Sequence, residues 1–302
     1  SYLERDILVS RDASALTGSV SVDLGFPDAG VLLPSNLRDT TDLEQVTHEL
    51  RLASASDGRL QWLVGAYYST VERKYAQRLP TPGYDFYTDQ TLGAGTAAAT
   101  ANGYGPDSPY NSDLPYDIDQ VALFGEVSYA FTDRLNLTLG GRYYDFEEER
   151  SFNSGGLFSN GDSNLVDKTE SDGFTPRLLA SYEVSDRVTL NGQVSQGFRL
   201  GGVNDPLNET LCNANDLAIF GGFQDYDDEK MWNYEVGAKT RFGRVTLNAA
   251  AFYADIEDLQ VTLDAGSCSS RISFNVPSAH SAGIEFELAA EPVDGLYLSF
   301  AG

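Results

Sequence analysis

The stretch "FTPRLLASYEVSDRVTLNGQVSQGFRLGG", Phe174–Gly202, alternates apolar and polar residues, turns at Ser185-Asp186-Arg187, and alternates again. A period of two places successive side chains on opposite faces of a strand. One face of both runs is almost free of charge, in a chain whose formal net charge is −25. Such a face meets either a protein core or lipid, and the choice between them decides the function.

Composition narrows the choice. The 302 residues suffice for one large domain or two ordinary ones. A hydrophobic share of 41% with negative mean hydropathy ordinarily reads as soluble. No run of eighteen apolar residues occurs, which excludes a transmembrane helix. It does not exclude a membrane β-barrel, whose alternating strands average to weak hydropathy. Met occurs once, against 17 Tyr and 16 Phe, so a Met-rich helical core is not expected. The acidity argues against a nucleic-acid partner, which would call for a basic face. Cys212 and Cys268 form no CxxC pair, and His48 and His280 are the only histidines, so no metal site and no cofactor is expected. The opening "SYLERDILVSRD" carries charges where a secretory signal has an apolar core. It also lacks an initiating Met, and the chain is expected to be an interior piece of a longer protein.

Short turn signals recur at Ser56-Asp57-Gly58-Arg59, Thr132-Asp133-Arg134, Ser185-Asp186-Arg187, Phe242-Gly243-Arg244 and Pro292-Val293-Asp294-Gly295, each between alternating runs. Between these hairpins lie long polar stretches: Leu79–Tyr116, Ser151–Glu170 and Leu200–Asp228, rich in Gly, Asn, Asp, Ser and Pro. Short turns on one side and long loops on the other is the asymmetry of an outer-membrane barrel.

The strand faces agree with one another. Val121, Leu123, Gly125, Val127, Tyr129 and Phe131 share a face against Gln120, Glu126 and Ser128. Leu135, Leu137 and Leu139 oppose Asn136 and Thr138; Leu178, Ala180 and Tyr182 oppose Arg177 and Ser181. Trp232, Tyr234 and Val236 oppose Asn233 and Glu235; Val245, Leu247 and Ala249 oppose Thr246 and Asn248. Alternation alone fits a soluble sandwich as well as a barrel; the loop asymmetry favours lipid. The expected fold is all-β, an antiparallel transmembrane β-barrel of roughly ten to twelve strands, including some in residues 1–26, with no useful helical period. The final "GLYLSFAG" reads as an unfinished strand. An unpaired strand in lipid leaves backbone groups unsatisfied, so residues 1–302 are expected to be a partial barrel with further strands missing.

Several segments carry a family resemblance. "FTPRLLASYEVSDRVTLNGQVSQGFRLGGVN" (Phe174–Asn204) resembles barrel strands of TonB-dependent outer-membrane receptors. "DEKMWNYEVGAKTRFGRVTLNAAAFYADIEDLQV" (Asp228–Val261) is similar to the family's following hairpin, with Glu229, Tyr234, Glu235, Gly237 and Lys239 in matching places. "NVPSAHSAGIEFELAAEPVDGLYLSFAG" (Asn275–Gly302) resembles the next, through Asn275, Ala279, Gly283, Glu285 and Glu287, and "THELRLASASDGRLQWLVGAYYSTVER" (Thr47–Arg73) an earlier one. The likeness runs from about residue 43 in the right order. It implies a large plugged barrel of about 22 strands, of which this chain is the central part; the N-terminal plug is not recognisable here.

The resemblance implies an outer-membrane protein that binds a scarce nutrient, such as a ferric siderophore, as a small-molecule or metal-chelate ligand. An inner-membrane TonB complex then supplies the energy of passage. No covalent chemistry is required, and no nucleophile elbow, phosphate loop or metal-ligand cluster occurs, so no catalytic residue is expected. The inward charges Glu126, Arg142, Arg177, Glu235, Lys239, Glu285 and Glu287 either touch substrate or plug, or pair with one another across the wall; pairing is the ordinary outcome for enclosed charge. "EEER" (Glu147–Arg150) reads as a solvated strand tip. The aromatic clusters Tyr84–Asp89 and Phe220–Glu229 read as loop packing or as ligand contacts. Cys212 and Cys268, in consecutive long loops, are a candidate disulfide suited to an oxidising cell surface, against two unpaired thiols. The rivals are a passive outer-membrane pore and a soluble β-propeller or sandwich enzyme acting on glycans.

Overall fold

The computed structural model describes residues 1–55, 57–268 and 270–302; Ser56, in the first of the turns above, lies outside the described residues. The strands are β1 (Tyr2–Asp12), β2 (Asn36–Ala53), β3 (Leu60–Arg78), β4 (Asn111–Ala130), β5 (Leu135–Gly155), β6 (Leu165–Ser185), β7 (Val188–Arg199), β8 (Gly202–Val203), β9 (Asp225–Tyr226), β10 (Glu229–Phe242), β11 (Val245–Asp264), β12 (Arg271–Val293) and β13 (Leu296–Ala301). Eleven form one antiparallel sheet in the order β1-β2-β3-β4-β5-β6-β7-β10-β11-β12-β13, while β8 and β9 make a small ribbon inside a loop. The sheet is open at β1 and β13, which agrees with a partial barrel.

Each hairpin turn spans a few residues, with Gly243 (φ 60°) and Gly295 (φ 83°) taking the left-handed conformation that two of them need. At the other end, the connections 13–35, 79–110 and 200–228 carry helices α1 (Ser14–Asp23), α2 (Asp28–Val31), α3 (Tyr84–Leu92), α4 (Thr96–Thr100) and α5 (Ala214–Phe220), and 156–164 is a nine-residue loop. The short connection 265–270 holds, among its described residues, a 3-10 turn, Gly266–Cys268. An antiparallel meander puts every second connection at the same end, so the loop asymmetry follows from the strand order.

The outward face is apolar. Trp62, Val127, Leu139, Leu178, Val194, Tyr234, Tyr253 and Ala282 are direct partners in turn from β3 to β12. Leu139 stands 64% exposed and Val236 likewise 64%. In water such a band would be a liability; in a bilayer it is the lipid contact. The strands outrun the membrane, since β5 and β6 have 21 residues each where about ten, tilted, cross the hydrocarbon.

The outward row changes character on the loop side. Glu4, Glu44, Glu72, Asp117 and Glu149 lie directly opposite one another across β1 to β5, ending on Lys168 of β6. Like charges in direct register repel, so this ladder belongs in water, where salt screens it. Lys168 relieves it locally, 2.9 Å from Glu147.

The buried apolar clusters of the described residues lie among the loops. Ala13, Phe26, Leu79, Tyr84 and Phe158 form one, drawing together the connections after β1, β3 and β5. Leu207, Ala265, Cys268 and Ile272 form the other. Residues 1–26, where some of the strands are expected, hold β1 and then the helix α1. Its helical period is illegible because the buried face consists of Thr17, Gly18 and Ser21 rather than large apolar residues. Contact is close: a Cβ on Gly18 would lie 2.9 Å from the Val31 carbonyl oxygen, and the Ser21 hydroxyl sits 3.0 Å from that of Tyr84.

Candidate ligand-facing basin beneath the long loops

The inner wall is built by register. One residue's shift moves a side chain to the other face, so the row beside the outward carboxylate ladder points inward and carries Arg73, Tyr116, Arg150 and Asp167, partnered in that order from β3 to β6. The Arg73 guanidinium carbon lies 5.2 Å from the Tyr75 ring centre and 5.3 Å from that of Tyr116, a cation held between two aromatic faces.

Arg150 anchors the loops to this wall. Its side chain is 1% exposed, and it donates to Asp205 Oδ1 at 2.8 Å, to Asp167 Oδ2 at 3.4 Å and to the Asn204 carbonyl. Its Nε–H is buried without a partner among the described residues. The reading of Glu147–Arg150 as a solvated tip is therefore corrected. Only Glu147 and Glu149 face out; Arg150 is buried and Glu148 shares its inward face. The run of four charges conceals an alternation, visible only once the strand's pleat is fixed.

Side-chain amides and carboxylates tie down the loop after β7. Asn204 donates to the Phe223 and Ser273 carbonyls at 3.1 and 2.6 Å and accepts from the Ser273 N–H at 2.8 Å. Asp228 accepts from the Tyr144 hydroxyl at 3.0 Å, the Gly201 N–H at 2.7 Å and the Ser171 hydroxyl. Tyr144 fits because Gly173 stands opposite it: a Cβ there would lie 2.6 Å from the phenol oxygen. Asn102 fixes the loop after β3 against that after β5, donating to the Ser154 carbonyl at 2.7 Å and to that of Asp162 at 3.0 Å.

Under this roof a cavity of about 250 Å³ is lined by Asp162, Asp167, Asp205 and Glu209, with Phe220 and Phe223 on its apolar side. The connections 13–35, 79–110, 156–164 and 200–228 contain carboxylates and neither Lys nor Arg, and 265–270 contains no charged residue. Their field attracts cations and repels polyanions.

The inward charges divide. Glu126 and Arg177 pair at 3.1 Å across Gly140, whose missing side chain leaves the path open between β4 and β6. Arg142 lies over the Tyr67 ring at 5.2 Å. Glu235, Lys239, Glu285 and Glu287 line a shared recess on β10 to β12, yet no ion pair joins any of them among the described residues. Of the two readings of the inward charges, pairing across the wall holds for Glu126 and Arg177, while these four face the interior without an ion pair among the described residues. Of the aromatic clusters, Tyr84 is buried against Phe26 and Phe158, with ring centres 5.2 and 5.7 Å away, and burial pushes its phenol up to about 12. Phe220 packs against the second loop cluster and Phe223 meets Phe274.

Cys212 and Cys268 are joined as a disulfide, with Cα atoms 4.2 Å apart. Beside it, Asp216 of α5 accepts from the Ser267 N–H and hydroxyl, at 2.8 and 2.7 Å, and those bonds hold its carboxyl below the ordinary range. Reduction is expected to release the loop from the connection after β11 while the strands stay paired. The cost is local, about 2 kcal/mol, the low end for a disulfide because both cysteines already hang from fixed strands. Hydrogen exchange over residues 205–220, with and without reductant, measures it; unchanged protection would contradict the bracing role.

Comparison with known proteins places this architecture. A family model described as TonB dependent receptor-like, beta-barrel, matches residues 9–302. The pesticin receptor of Yersinia pestis is 24% identical over 266 residues, covering 87% of this chain and 33% of the relative; that of Yersinia enterocolitica matches equally. Among solved structures, the ferric yersiniabactin uptake receptor of Yersinia pestis superposes with a TM-score of 0.67 at 20% identity, over 88% of this chain and 35% of that one. A copper transporter does so at 0.61 and 14%, over 99% and 42%. The chain spans about a third of the length of the curated relatives it matches. The relatives are receptors and transporters rather than enzymes, and with the family model matching nearly from end to end, this chain belongs to the TonB-dependent receptor β-barrels of the bacterial outer membrane.

Proposed function

We propose that these 302 residues are a central part of the wall of a receptor that captures a scarce nutrient, such as a ferric siderophore, and passes it inward with energy from the inner-membrane TonB complex. One observation carries the reading: a roof of packed loops, clamped by Arg150 and the asparagines, stands over an inner wall of Arg73, Tyr75 and Tyr116. Ordered loops above a polar wall suit capture of a ligand from outside. The relatives' names, a ferric chelate in one case and copper in another, support a metal or metal chelate as cargo.

The open edges at β1 and β13 support pairing with further strands of a larger barrel, because an unsatisfied edge in hydrocarbon costs several kcal/mol per group. The free charges Glu235, Lys239, Glu285 and Glu287 suit contact with a plug domain inside that barrel. The whole receptor in planar bilayers separates this reading from a passive pore. A gated receptor stays electrically closed at rest, and uptake of ferric yersiniabactin or another chelate by cells stops when the proton-motive force is collapsed. Steady resting conductance with energy-independent uptake would establish the pore instead.

A further inference from the structure

On the lipid face, a shallow trough of about 580 Å³ crosses β6, β7, β10, β11 and β12. It is written in the register. Ala180, Gly192, Val236, Ala251 and Ile284 are successive partners across these strands. The next outward row runs Tyr182, Leu190, Ala238, Ala249 and Phe286. Gly192 on β7, Ala238 on β10 and Ala249 with Ala251 on β11 form the floor, while Tyr182 and Leu190 stand at one end and Ile284, 76% exposed, at the other. No charged side chain lines the trough.

Its depth follows from the same strands. Toward the loops, the outward positions of β10 and β11 reach Lys230 and Glu257; toward the turns they reach Phe242 and Val245. Rows 236/251 and 238/249 lie midway between these ends. The trough is thus continuous with the lipid-facing band and sits near the middle of the hydrocarbon, where headgroups do not reach. A void at that depth would forfeit dispersion contacts along its whole lining. What is present there to fill it is a flexible hydrocarbon chain.

We propose that this trough is a binding groove for one acyl chain of a membrane lipid, held against β7, β10 and β11 longer than the chains along the rest of the wall. The inference rests on the outer-membrane placement and not on what the receptor transports.

The test uses the whole receptor reconstituted in bilayers that contain a phospholipid with a diazirine at mid-chain. After illumination, labelled peptides are mapped. Labelling of residues 180–192 and 236–251 is expected to exceed that of the equally outward Val127 and Leu139 by about fivefold. Gly192→Leu with Ala251→Leu fills the groove and abolishes the excess. Gly192 tolerates bulk, since a Cβ there meets nothing closer than the Glu235 carbonyl oxygen at 4.0 Å. Heat-modifiable migration on gels verifies that the variant barrel is closed. Equal labelling along all outward strands in the wild type would overturn the proposal, whatever the variant does. So would an undiminished excess in a folded filled variant, or a co-purifying polypeptide shielding the groove from label. Ligand uptake by the same preparation reports separately on the receptor reading.

Discussion

Arg150→Met is expected to destabilise the loop roof by about 3 kcal/mol, the low end for removing one partner from a buried ion pair. The low end applies because Asp167 and Asp205 keep 37% and 48% of their side chains in contact with water and recover some solvation when the arginine goes. Methionine retains part of the stem's packing, so the loss reports the guanidinium: its bonds to both aspartates and the Asn204 carbonyl disappear together. Hydrogen exchange across residues 200–228 should rise steeply, while β10 to β12 keep their protection. A loss under 1 kcal/mol with an unchanged exchange pattern would mean the loops hold themselves without the wall.

Leu178→Arg and Leu179→Arg, at neighbouring positions, should have opposite consequences. Leu178 faces outward in the middle of the apolar row, where an arginine costs about 2–4 kcal/mol at bilayer depth. Leu179 faces inward into the recess shared by Glu235, Glu285 and Glu287, so an arginine there meets unpaired carboxylates and is tolerated. Urea unfolding of the whole receptor in vesicles gives both values. Equal costs at the two positions would remove the distinction between a lipid face and a lumen.

The parts of this structure legible in the sequence share one property: they depend on the local period. Val121–Phe131 and Leu135–Tyr143 declare their faces because alternate residues differ in polarity. Turns such as Phe242-Gly243-Arg244 declare themselves through glycine's freedom at positive φ. What stayed hidden depends on register or on packing between distant segments. Helix α1 buries Thr17, Gly18 and Ser21, residues that no apolar count detects. Arg150 sits in a run of four charges, and its burial is set by Asp205, far along the chain. The carboxylate ladder from Glu4 to Glu149 draws one residue from each of five strands, and only their alignment makes it a ladder. The basin was illegible for the same reason: Arg73, Tyr116 and Arg150 become neighbours through pairing alone.

The most direct test of the account is a nitroxide scan along β4, residues 121–129, in the whole receptor reconstituted in bilayers, reading collision with dissolved oxygen against a polar nickel chelate. Oxygen partitions into hydrocarbon, so its access should peak at Val121, Leu123, Val127 and Tyr129, with the polar reagent favouring Phe124, Glu126 and Ser128 or neither reagent reaching them. A flat profile, or oxygen access peaking at the even positions, would contradict a wall with lipid on one side and a polar lumen on the other.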